Sequence, residues 1–514
     1  MSLIKTHGGA VFGVDASTIT VEVSIIMGQV GYTLVGLPDI ALKESFARIR
    51  SAIGHNGYRI PGKKITVNMA PADIRKEGSA YDLTIALGIL AASEQIKSTK
   101  IGAYYIMGEL SLDGGIHPIK GALPIAIQAR KAGFKGFVLP NKNAKEAAIV
   151  NDLEVIGVDN ITEVIQFFED KLDIVPTVVD TRQAFFSSIN DATVDFSDVK
   201  GQQNIKRALE IAAAGGHNVI LIGPPGAGKT MLAKRMPTIL PPLNLYEALE
   251  TTKIHSVAGK LPSDSSLIAV RPFRSPHHTI SDVALVGGGQ NPQPGEISLT
   301  HNGVLFLDEL PEFKRTVLEV LRQPMEERRI TISRAKFTVD YPASFMLVAS
   351  MNPCPCGYYN HPEKECVCAP GTVQRYLNKI SGPLLDRIDL HVEVTPVSFN
   401  ELTSDQEAEG SEEIRSRVVE ARDLQKNRFE QMGDIHANAQ MPPQMVRKIC
   451  VINNASKLLL KAAMDKLDLS ARAYDRILKV ARTIADLSKS KNIKMEHIAE
   501  AIQFRSLDRE SWAG

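Results

Sequence analysis

One segment of the chain has the residue types and spacing of a phosphate-binding loop. In "NVILIGPPGAGKTMLAKRM", an apolar stretch at 218–222 leads into a match to G-x-x-x-x-G-K-[ST], and a helical stretch follows. A strand before and a helix after are the context in which this motif binds phosphate. The loop consists of Gly223, Pro224, Pro225, Gly226, Ala227, Gly228, Lys229 and Thr230. The sequence therefore predicts a nucleotide-binding site.

The chemistry expected of this loop follows from its residue types. Glycines let backbone N–H groups curl around phosphate oxygens, and the following helix N-terminus adds partial positive charge. Lys229 is expected to reach the β- and γ-phosphates of ATP, and Thr230 is expected to bind Mg²⁺. A Gly/Pro-rich turn that binds nothing is the alternative, and the flanking strand and helix weigh against it.

Two carboxylates complete the predicted site. The segment "NGVLFLDELPEF" runs through the apolar residues 304–307 into Asp308 and Glu309. A continuous apolar run is typical of a central parallel strand, whose end would bring both carboxylates beside the phosphates. Asp308 is then expected to hold Mg²⁺, and Glu309 to orient and deprotonate the attacking water. Two acids on a solvated loop are the alternative, which so apolar a strand disfavours.

Four of the five cysteines lie in "SMNPCPCGYYNHPEKECVC", at Cys354, Cys356, Cys366 and Cys368. Four thiolates at paired spacings can close a tetrahedral shell around Zn²⁺. The C-x-C spacing is tighter than the more usual C-x₂-C, and His361 could replace one thiol. The residue types favour a structural zinc site over its alternative, a set of reduced thiols on a polar loop.

The elements that must position these groups divide the chain into three folded parts. Residues 1–175 alternate strand-like and helix-like stretches, such as "STITVEVSII" and "DIALKESFARIRSAIG", and predict an α/β or α+β domain. Residues 176–200 lack clear periodicity and predict a linker. Residues 201–395 have the strand–turn–helix order of a parallel sheet, and residues 396–514 are helical after a polar break.

Composition narrows the class of protein. A chain of 514 residues exceeds one hydrophobic core, and 44% hydrophobic with 23% charged residues is ordinary for a globular protein. A formal net charge of +1 excludes bulk attraction to nucleic acid or membrane, so any polyanion must be held by a local patch. No signal peptide or membrane-length apolar run is found, and five cysteines fit a reducing cytoplasm, where we expect the protein.

Several longer motifs resemble those of one protein family. They are "RPFRSPHHTISDVALVGGG", "PGEISLTHNGVLFLDELPEF", "MNPCPCG", "LLDRIDLH" and "LSARAYDRILKVARTIADL". They resemble segments of the AAA+ ATPases, of their magnesium-chelatase-like branch and, within it, of the ComM/YifB family. The resemblance covers nearly the whole chain. It implies a P-loop NTPase core with helices on both faces of a parallel sheet, preceded by a Lon-protease-like α/β domain and followed by a helical lid.

The resemblance also implies roles for single residues. Asn352, at the end of "SFMLVASMN", resembles the sensor-1 residue that contacts the γ-phosphate. Arg387 resembles an arginine finger that reaches a neighbouring subunit's ATP, and Arg472 resembles the sensor-2 residue of the lid. Guanidinium groups suit this task because they spread positive charge over phosphoryl oxygens. A finger supplied in trans implies a homo-oligomeric ring, expected to be a hexamer. For each arginine taken singly, a surface ion pair is the alternative.

Two insertions are implied by the same resemblance. Residues 283–303 would form a helix-2 insert facing a central pore, and residues 328–345 a hairpin before sensor 1. β-prone residues on both sides of a short polar tip predict that hairpin independently. Between residues 314 and 336, seven Lys/Arg stand against three Glu. We therefore expect Arg334 and Lys336 at the tip to contact a DNA backbone, with a merely solvated positive face as the alternative.

The first domain resembles the Lon proteases in "KEGSAYDL" and "GELSLDGGIHPIKGALP". Those enzymes use a serine–lysine pair in which a desolvated lysine accepts the proton of the serine. The resemblance places Ala80 at the serine position and Leu123 at the lysine position, although Ser79 and Lys120 are close by in sequence. We expect no proteolysis, and a role in assembly or DNA contact instead.

Two functions remain open at this point. The resemblance implies a ring-forming, ATP-dependent DNA motor, a branch-migration helicase for recombination and transformation intermediates that would bind branched or single-stranded DNA. The alternative is the motor subunit of a magnesium-chelatase-type enzyme for metal insertion. The D-x-S-x-S string typical of the partner domain in such enzymes occurs at 486–490, but it closes a helix instead of following a strand. The adjacent carboxylates of Asp308 and Glu309 argue against a scaffold protein that has no catalytic activity.

Overall fold

The computed structural model contains an N-terminal α/β domain, a parallel-sheet core and a C-terminal helical lid. It describes residues 2–505 except 77, 183–184, 186–193, 263–265, 290–291, 335–336, 360, 362, 370, 398–407, 434 and 468. The fold class predicted from the sequence is confirmed.

The N-terminal domain is built on a seven-stranded mixed sheet. In spatial order its strands are Gly31–Val35, Lys64–Ala70, Asp15–Ile26, Ser2–Phe12, Tyr104–Ile106, Gly136–Pro140 and Glu154–Val158. Its α-helices are Ile40–His55, Asp82–Ala92, Ala122–Lys131, Asn141–Ala147 and Ile161–Phe168. Alternation in "ITVEV" places Ile19, Val21 and Val23 in the core. The helix Asp82–Ala92 is apolar on nearly every face because it lies buried against this sheet.

The middle of the chain forms a five-stranded sheet in which every neighbouring pair is parallel. Its spatial order is Phe273–Arg274, Val304–Leu307, Met346–Met351, Val219–Ile222 and Leu390–Glu393. Alternate residues of one strand enter different hydrophobic clusters, with Val304 and Phe306 on one face and Leu305 and Leu307 on the other. Since both faces are buried, the strands read as uninterrupted apolar runs.

Helices cover both faces of this sheet. One face carries Gln203–Gly215 and Lys229–Ile239, together with residues of the lid. The other face carries the short helices Asp282–Val286, Glu296–Leu299, Arg315–Glu319, Arg322–Glu327, Thr372–Leu377 and Gly382–Leu385. This arrangement leaves the ends of the strands as the open edge of the core.

The hairpin expected from the sequence is present. Strands Arg329–Arg334 and Phe337–Pro342 pair antiparallel over their whole length. Ile330 and Ile332 are buried on one face of the stem, so the hairpin packs against the core through alternate residues. The tip residue Lys336 lies outside the described residues.

The lid is an all-helical part that packs on the sheet. Its α-helices are Ser411–Phe429, Pro443–Ile449, Asn454–Leu467, Ala471–Leu487 and Met495–Gln503. Ile477, Val480 and Ile484 form the buried stripe of the fourth helix, which contacts the core helix Gln203–Gly215. In the described part of the chain, we find no helix with the length and apolarity needed to traverse a bilayer.

The predicted linker, 176–200, ends inside the folded core. Phe196 is fully buried, and its backbone N–H donates to Ser411 Oγ at 2.8 Å, where the first lid helix begins. Asp195 in turn accepts hydrogen bonds from the backbone N–H of Ser411 at 3.2 Å. Residues 195–199 therefore join the core to the lid and are not a free connection.

The helix Leu245–Ala258 joins the N-terminal domain to the core. Ala248 of this helix belongs to the hydrophobic cluster of the N-terminal domain, and so does Leu267, which follows the helix in the chain. The backbone N–H of Gly121 donates to the carbonyl of Ser256 at 3.0 Å. The two α/β parts thus share buried apolar surface and backbone hydrogen bonds in addition to the covalent connection.

A buried ionic cluster attaches the lid to the edge strand Leu390–Glu393. Asp389, which is 1% exposed, accepts a hydrogen bond from lid residue Arg476 at 2.8 Å. Its other oxygen accepts from the backbone N–H of Asn218 at 3.1 Å and lies 3.3 Å from His217 Nδ1. Burial acts to raise the pKa of Asp389, but the Arg476 guanidinium and His217 outweigh burial and hold this pKa well below its usual range.

Asp389→Asn should destabilise the protein by about 3–5 kcal/mol, because it leaves Arg476, whose side chain is only 20% exposed, without its counter-charge. Chemical unfolding followed by circular dichroism measures this loss. Asp386→Asn is the matched control, since Asp386 lies 3.7 Å from the exposed Arg472. Such an exposed pair contributes less than about 1 kcal/mol. An equal loss of unfolding free energy in the two variants would contradict the larger stabilisation expected from the buried pair.

The stability difference between the parent and Asp389→Asn should also depend on pH in one direction. The folded-state pKa of Asp389 is lowered, so its stabilisation is complete above the unfolded-state pKa of about 4 and is lost as the pH falls further. Unfolding curves from about pH 5 to 8 should show a constant difference, which shrinks below about pH 4. A difference that grows on acidification would contradict this linkage.

Candidate nucleotide-binding site

Three parallel strands bring the predicted phosphate-binding residues to one edge of the core sheet. Ile222 pairs with Met351, and Leu307 pairs with Ala349, which is two residues before Met351 in the middle strand. The carboxyl ends of the three strands are therefore nearly level. The phosphate loop, 223–230, and Asn352 leave the sheet at this edge, as do the two predicted carboxylates. Here the structure has a cleft of about 440 Å³ lined by residues 225–231, 308–309 and 350–352. Ligands of parallel α/β sheets bind at this carboxyl edge.

The conformation of the phosphate loop depends on two glycines. Gly226 and Gly228 have φ angles of 82° and 86°, in the left-handed region that residues with a Cβ disfavour. The curled backbone leads directly into the N-terminus of the helix Lys229–Ile239. Free N–H groups and the helix dipole at such an end favour an anion.

Lys229 is held between the phosphate loop and the neighbouring strand. Its Nζ donates to the carbonyls of Gly223 at 2.6 Å and Pro224 at 2.9 Å, and to Asn352 Oδ1 at 3.1 Å. Burial lowers the pKa of Lys229, and the two nearby carboxylates oppose this effect. A cation in this position can meet the phosphate oxygens of a nucleotide in the cleft.

Asp308 is oriented by two hydroxyl groups. Thr230 Oγ1 donates to Asp308 Oδ2 at 2.9 Å, and Ser350 Oγ donates to Asp308 Oδ1. The hydroxyl of Thr230 and the carboxylate of Asp308 are thus adjacent, and hard oxygen ligands of this kind fit Mg²⁺. Ser350 was not predicted from the sequence as a site residue. Its signal is a polar residue within the otherwise apolar "FMLVASM".

Glu309 points its carboxylate into a more open environment. Its φ angle is 53°, in the left-handed region, and its side chain is 58% exposed. His278 Nδ1 lies 3.9 Å from Glu309 Oε2, and the His278 ring stacks on His277 with centroids 4.1 Å apart. His278 was also not singled out from the sequence. Its signal is the pair "HH" shortly after the strand Phe273–Arg274, which neighbours the carboxylate-bearing strand.

The two arginines implied by the family resemblance lie elsewhere. Arg387, 7% exposed, donates to Pro383 O at 2.6 Å and pairs with Glu326 at 2.8 Å. Its Nε is buried and has no hydrogen-bond partner among the described residues. Arg472 is 62% exposed, with Nη1 3.7 Å from Asp386 Oδ2. Neither of these two arginines is among the described residues that line the cleft of their own chain.

The four cysteines predicted as zinc ligands meet in the structure. The Sγ atoms of Cys354, Cys356, Cys366 and Cys368 all lie within 4.8 Å of one another. The Sγ of Cys354 is 3.3 Å from that of Cys356 and 3.7 Å from that of Cys366, and the last two are 3.6 Å apart. Instead of joining them, His361 Nδ1 accepts two backbone N–H groups at 3.1 Å. This thiol cluster could hold a metal ion.

The N-terminal domain has no serine–lysine pair at the positions implied by the Lon resemblance. Ala80 and Leu123, which occupy these positions, offer neither a nucleophile nor a base. Ser79 Oγ donates to the carboxylate of Glu109. Among the described residues, no hydrogen bond joins Ser79 to Lys120. The geometry therefore does not support the shifted pair as a protease site.

The predicted basic surface is only partly described. The side chain of Arg334 and the whole of Lys336 lie outside the described residues. In the short helices before the hairpin, Arg322 pairs with Glu319 at 2.6 Å, and at the start of the stem Arg329 lies 3.9 Å from Glu327. These ion pairs reduce the positive charge next to the hairpin, so contact with a phosphate backbone would depend on the tip.

Comparison with known families agrees with this fold. The profile described as "Magnesium chelatase, subunit ChlI" matches residues 195–402. Two related profiles, "Subunit ChlI of Mg-chelatase" and "Magnesium chelatase, subunit ChlI C-terminal", match residues 21–143 and 408–505. With the parallel sheet and the phosphate loop, these matches define an AAA+ ATPase fold of the magnesium-chelatase type.

Individual relatives narrow this class. The chain is 44% identical to the uncharacterized protein YifB of Salmonella typhimurium, over 99% of this chain and 98% of that protein. It is 43% identical to the competence protein ComM of Haemophilus influenzae, with the same coverage. The chain therefore belongs to the ComM/YifB family, as its motifs predicted. A Lon protease of Mycoplasma mycoides is 30% identical over 172 residues, 32% of this chain and 21% of that protein.

Lys229→Ala should abolish nucleotide binding, because it removes the cation between the phosphate loop and Asn352. Glu309→Gln should bind nucleotide normally and lower turnover by about 10²–10⁴-fold, because the amide accepts no proton from water. Affinity for a fluorescent ATP analogue and the rate of phosphate release separate the two effects. Glu312→Gln is the matched control, since this exposed acid pairs with Lys379 at 3.2 Å. Normal hydrolysis by Glu309→Gln would show that the base lies elsewhere.

Proposed function

We propose that the protein hydrolyses ATP in the cleft at the carboxyl edge of its core sheet. The observation that carries this proposal is the convergence of Lys229, Thr230, Asp308 and Glu309 on one cleft beside a phosphate loop. A binding protein without turnover would not need an exposed carboxylate next to an oriented one. The family membership supports the same reaction.

The proposed roles follow from the contacts in the cleft. Lys229 moves its hydrogen bonds from loop carbonyls to the β- and γ-phosphates, and Asn352 contacts the γ-phosphate beside it. Thr230 and Asp308 would hold Mg²⁺, which would neutralise part of the phosphate charge when bound. Glu309, whose side chain is exposed in the cleft, orients the attacking water and accepts its proton.

We propose that Arg387 completes the site of a neighbouring copy in a ring, expected to be hexameric. Its guanidinium is outside the cleft of its own chain, so it can act on ATP only across a subunit boundary. Arg472 lies beside Asp386, the residue before Arg387, and thus belongs to the same surface. A γ-phosphate from the neighbour would replace Glu326 as the partner of the Arg387 guanidinium.

We propose that ATP turnover drives movement on DNA, as a branch-migration helicase acting on recombination and transformation intermediates. The similarity to a protein named for competence supports this substrate class. The hairpin strands 329–334 and 337–342 pack on the same hydrophobic cluster as the carboxylate-bearing strand, and the sequence places Arg334 and Lys336 at the turn between them. Branched or single-stranded DNA in the cytoplasm is the partner proposed.

A motor subunit for metal insertion is the second candidate, which the description of the matching profile favours. The D-x-S-x-S string at 486–490 does not support it. Asp486 is buried and accepts hydrogen bonds from Arg428 at 2.5 and 2.8 Å and from Arg482 at 3.1 Å. A carboxylate occupied by two guanidinium groups is not available as a metal ligand, so we favour the DNA motor.

We propose that the thiol cluster holds a structural Zn²⁺ ion. Sulfur ligands favour zinc over the Mg²⁺ of the cleft. In a tetrahedron with Zn–S bonds of about 2.3 Å the sulfur atoms are about 3.8 Å apart, close to the separations found here. Four protein ligands leave no open position, so the ion would do no chemistry of its own.

Branched or single-stranded DNA should stimulate the ATPase, and added salt should remove the stimulation. A protein that contacts six to ten phosphates loses about 10³–10⁵ in affinity between 50 and 200 mM salt. Phosphate release measured across this range, with and without DNA, is the test. The double variant Arg334→Ala/Lys336→Ala should lose the stimulation and keep basal turnover. The charge-matched control is Lys461→Ala/Lys466→Ala on the exposed face of a lid helix. DNA-independent turnover at all salt concentrations would refute the motor.

Arg387→Ala alone should bind ATP and hydrolyse it slowly, because the missing charge acts in the neighbour's cleft. Mixing Arg387→Ala with Glu309→Gln should restore activity above that of either variant, since some boundaries then combine an intact cleft with an intact finger. The Arg387→Ala/Glu309→Gln double variant is the control partner and should restore nothing. Absence of complementation, or a chain that stays monomeric with nucleotide, would exclude the ring.

A further inference from the structure

The loop that carries the thiol cluster packs directly on the phosphate loop. Gly357, between the first cysteine pair and Tyr358, has a φ angle of 87° and faces Pro225. A Cβ at Gly357 would lie 2.5 Å from Pro225 Cδ and 3.1 Å from its Cγ. Only a glycine allows so close an approach, and the contacted residue lies in the loop that would surround phosphate.

The same loop is attached to the site at its start. The backbone N–H of Gly223 donates to Met351 O at 3.2 Å, and Lys229 Nζ donates to Asn352 Oδ1 at 3.1 Å. Cys354 follows two residues later and is fully buried, and its carbonyl accepts the N–H of Gly357 at 3.0 Å. The first metal ligand is therefore connected to the phosphate loop by a short path of contacts.

This segment has local turns and side-chain contacts but little regular secondary structure. Among the described residues between the strand Met346–Met351 and the helix Thr372–Leu377 there is no further helix or strand. Three of the four cysteines are partly exposed. A segment without regular secondary structure has many accessible conformations unless a cross-link removes them.

We propose that the metal bound by the four thiols fixes the position of the phosphate loop through Gly357 and Pro225, so that zinc and nucleotide each increase the affinity for the other. This inference rests on the proposed zinc site and the proposed ATP site. The coupling is reciprocal by thermodynamic necessity: if zinc tightens nucleotide binding by some factor, nucleotide tightens zinc binding by the same factor. We expect a factor of about ten.

The first experiment measures both directions on the full chain. Zinc content is determined by elemental analysis of the purified protein, and the ion is then removed with a chelator under reducing conditions. The affinity for a fluorescent, non-hydrolysable ATP analogue should fall about tenfold on removal and recover when Zn²⁺ is added. Conversely, zinc release to a chromogenic chelator should become slower when the analogue is present.

Variants separate this coupling from a loss of folding. Cys356→Ser/Cys366→Ser should lose zinc and bind the analogue about tenfold more weakly. Cys450→Ser is the matched control, because this fifth cysteine is buried in the lid far from the cluster in sequence. Circular dichroism and thermal unfolding of both variants report whether the fold is retained. In the Pro225→Ala background, which removes the contact and keeps the thiols, zinc removal should change the analogue's affinity less than about twofold.

Each proposal fails on a different result. A purified protein without zinc overturns the metal site and this coupling together. A zinc-containing protein whose analogue affinity is the same before and after removal overturns the coupling and leaves the zinc site standing. An unchanged response in the Pro225→Ala background overturns the proposed path. No binding of the analogue in any metal state overturns the ATP site itself.

Discussion

The level ends of three parallel strands are the constraint on which the rest of the site depends. If the strand Met346–Met351 were shifted by one residue, its end would move by about 3.3 Å along the sheet. Asn352 would then leave hydrogen-bonding distance of Lys229, and Ser350 would no longer face Asp308. The apolar side chains would also exchange between the two buried faces, where each would meet the packing partners of the other face. Core packing and site geometry therefore select the same register.

Polar groups buried between the lid and the core set the orientation of the lid. His217 Nε2 lies 2.8 Å from Thr483 Oγ1, and Asn438 Nδ2 donates to the same hydroxyl at 3.1 Å. Apolar surfaces alone tolerate sliding, whereas a shifted lid would leave these groups and Asp389 unpaired in the interior. These buried hydrogen bonds therefore hold the lid in one orientation on the core.

Long helices and strands with a clear hydrophobic period were predictable from the sequence, and those without such a period were not. The helix Ile40–His55 and the strand Asp15–Ile26 were recognised from their patterns. The strand Ser2–Phe12 was not recognised, because two consecutive glycines and a histidine interrupt its alternation. Its place in the sheet comes from pairing with Asp15–Ile26 along its whole length. The shared core around Leu245–Ala258 was equally invisible, since it joins residues far apart in the chain.

The sequence by itself determined the family, the phosphate loop and the identity of the possible metal ligands, because each is encoded in a short segment whose spacing limits its geometry. The tertiary structure decided which distant segments meet: Asp308 with Thr230, His278 with Glu309, and Gly357 with a proline of the phosphate loop. These contacts span some thirty to over one hundred and thirty positions. The hydrophobic period of a single segment does not reveal the order of the strands or the register in which they pair. Strand order and register create the site, and the burial of both sheet faces sets them.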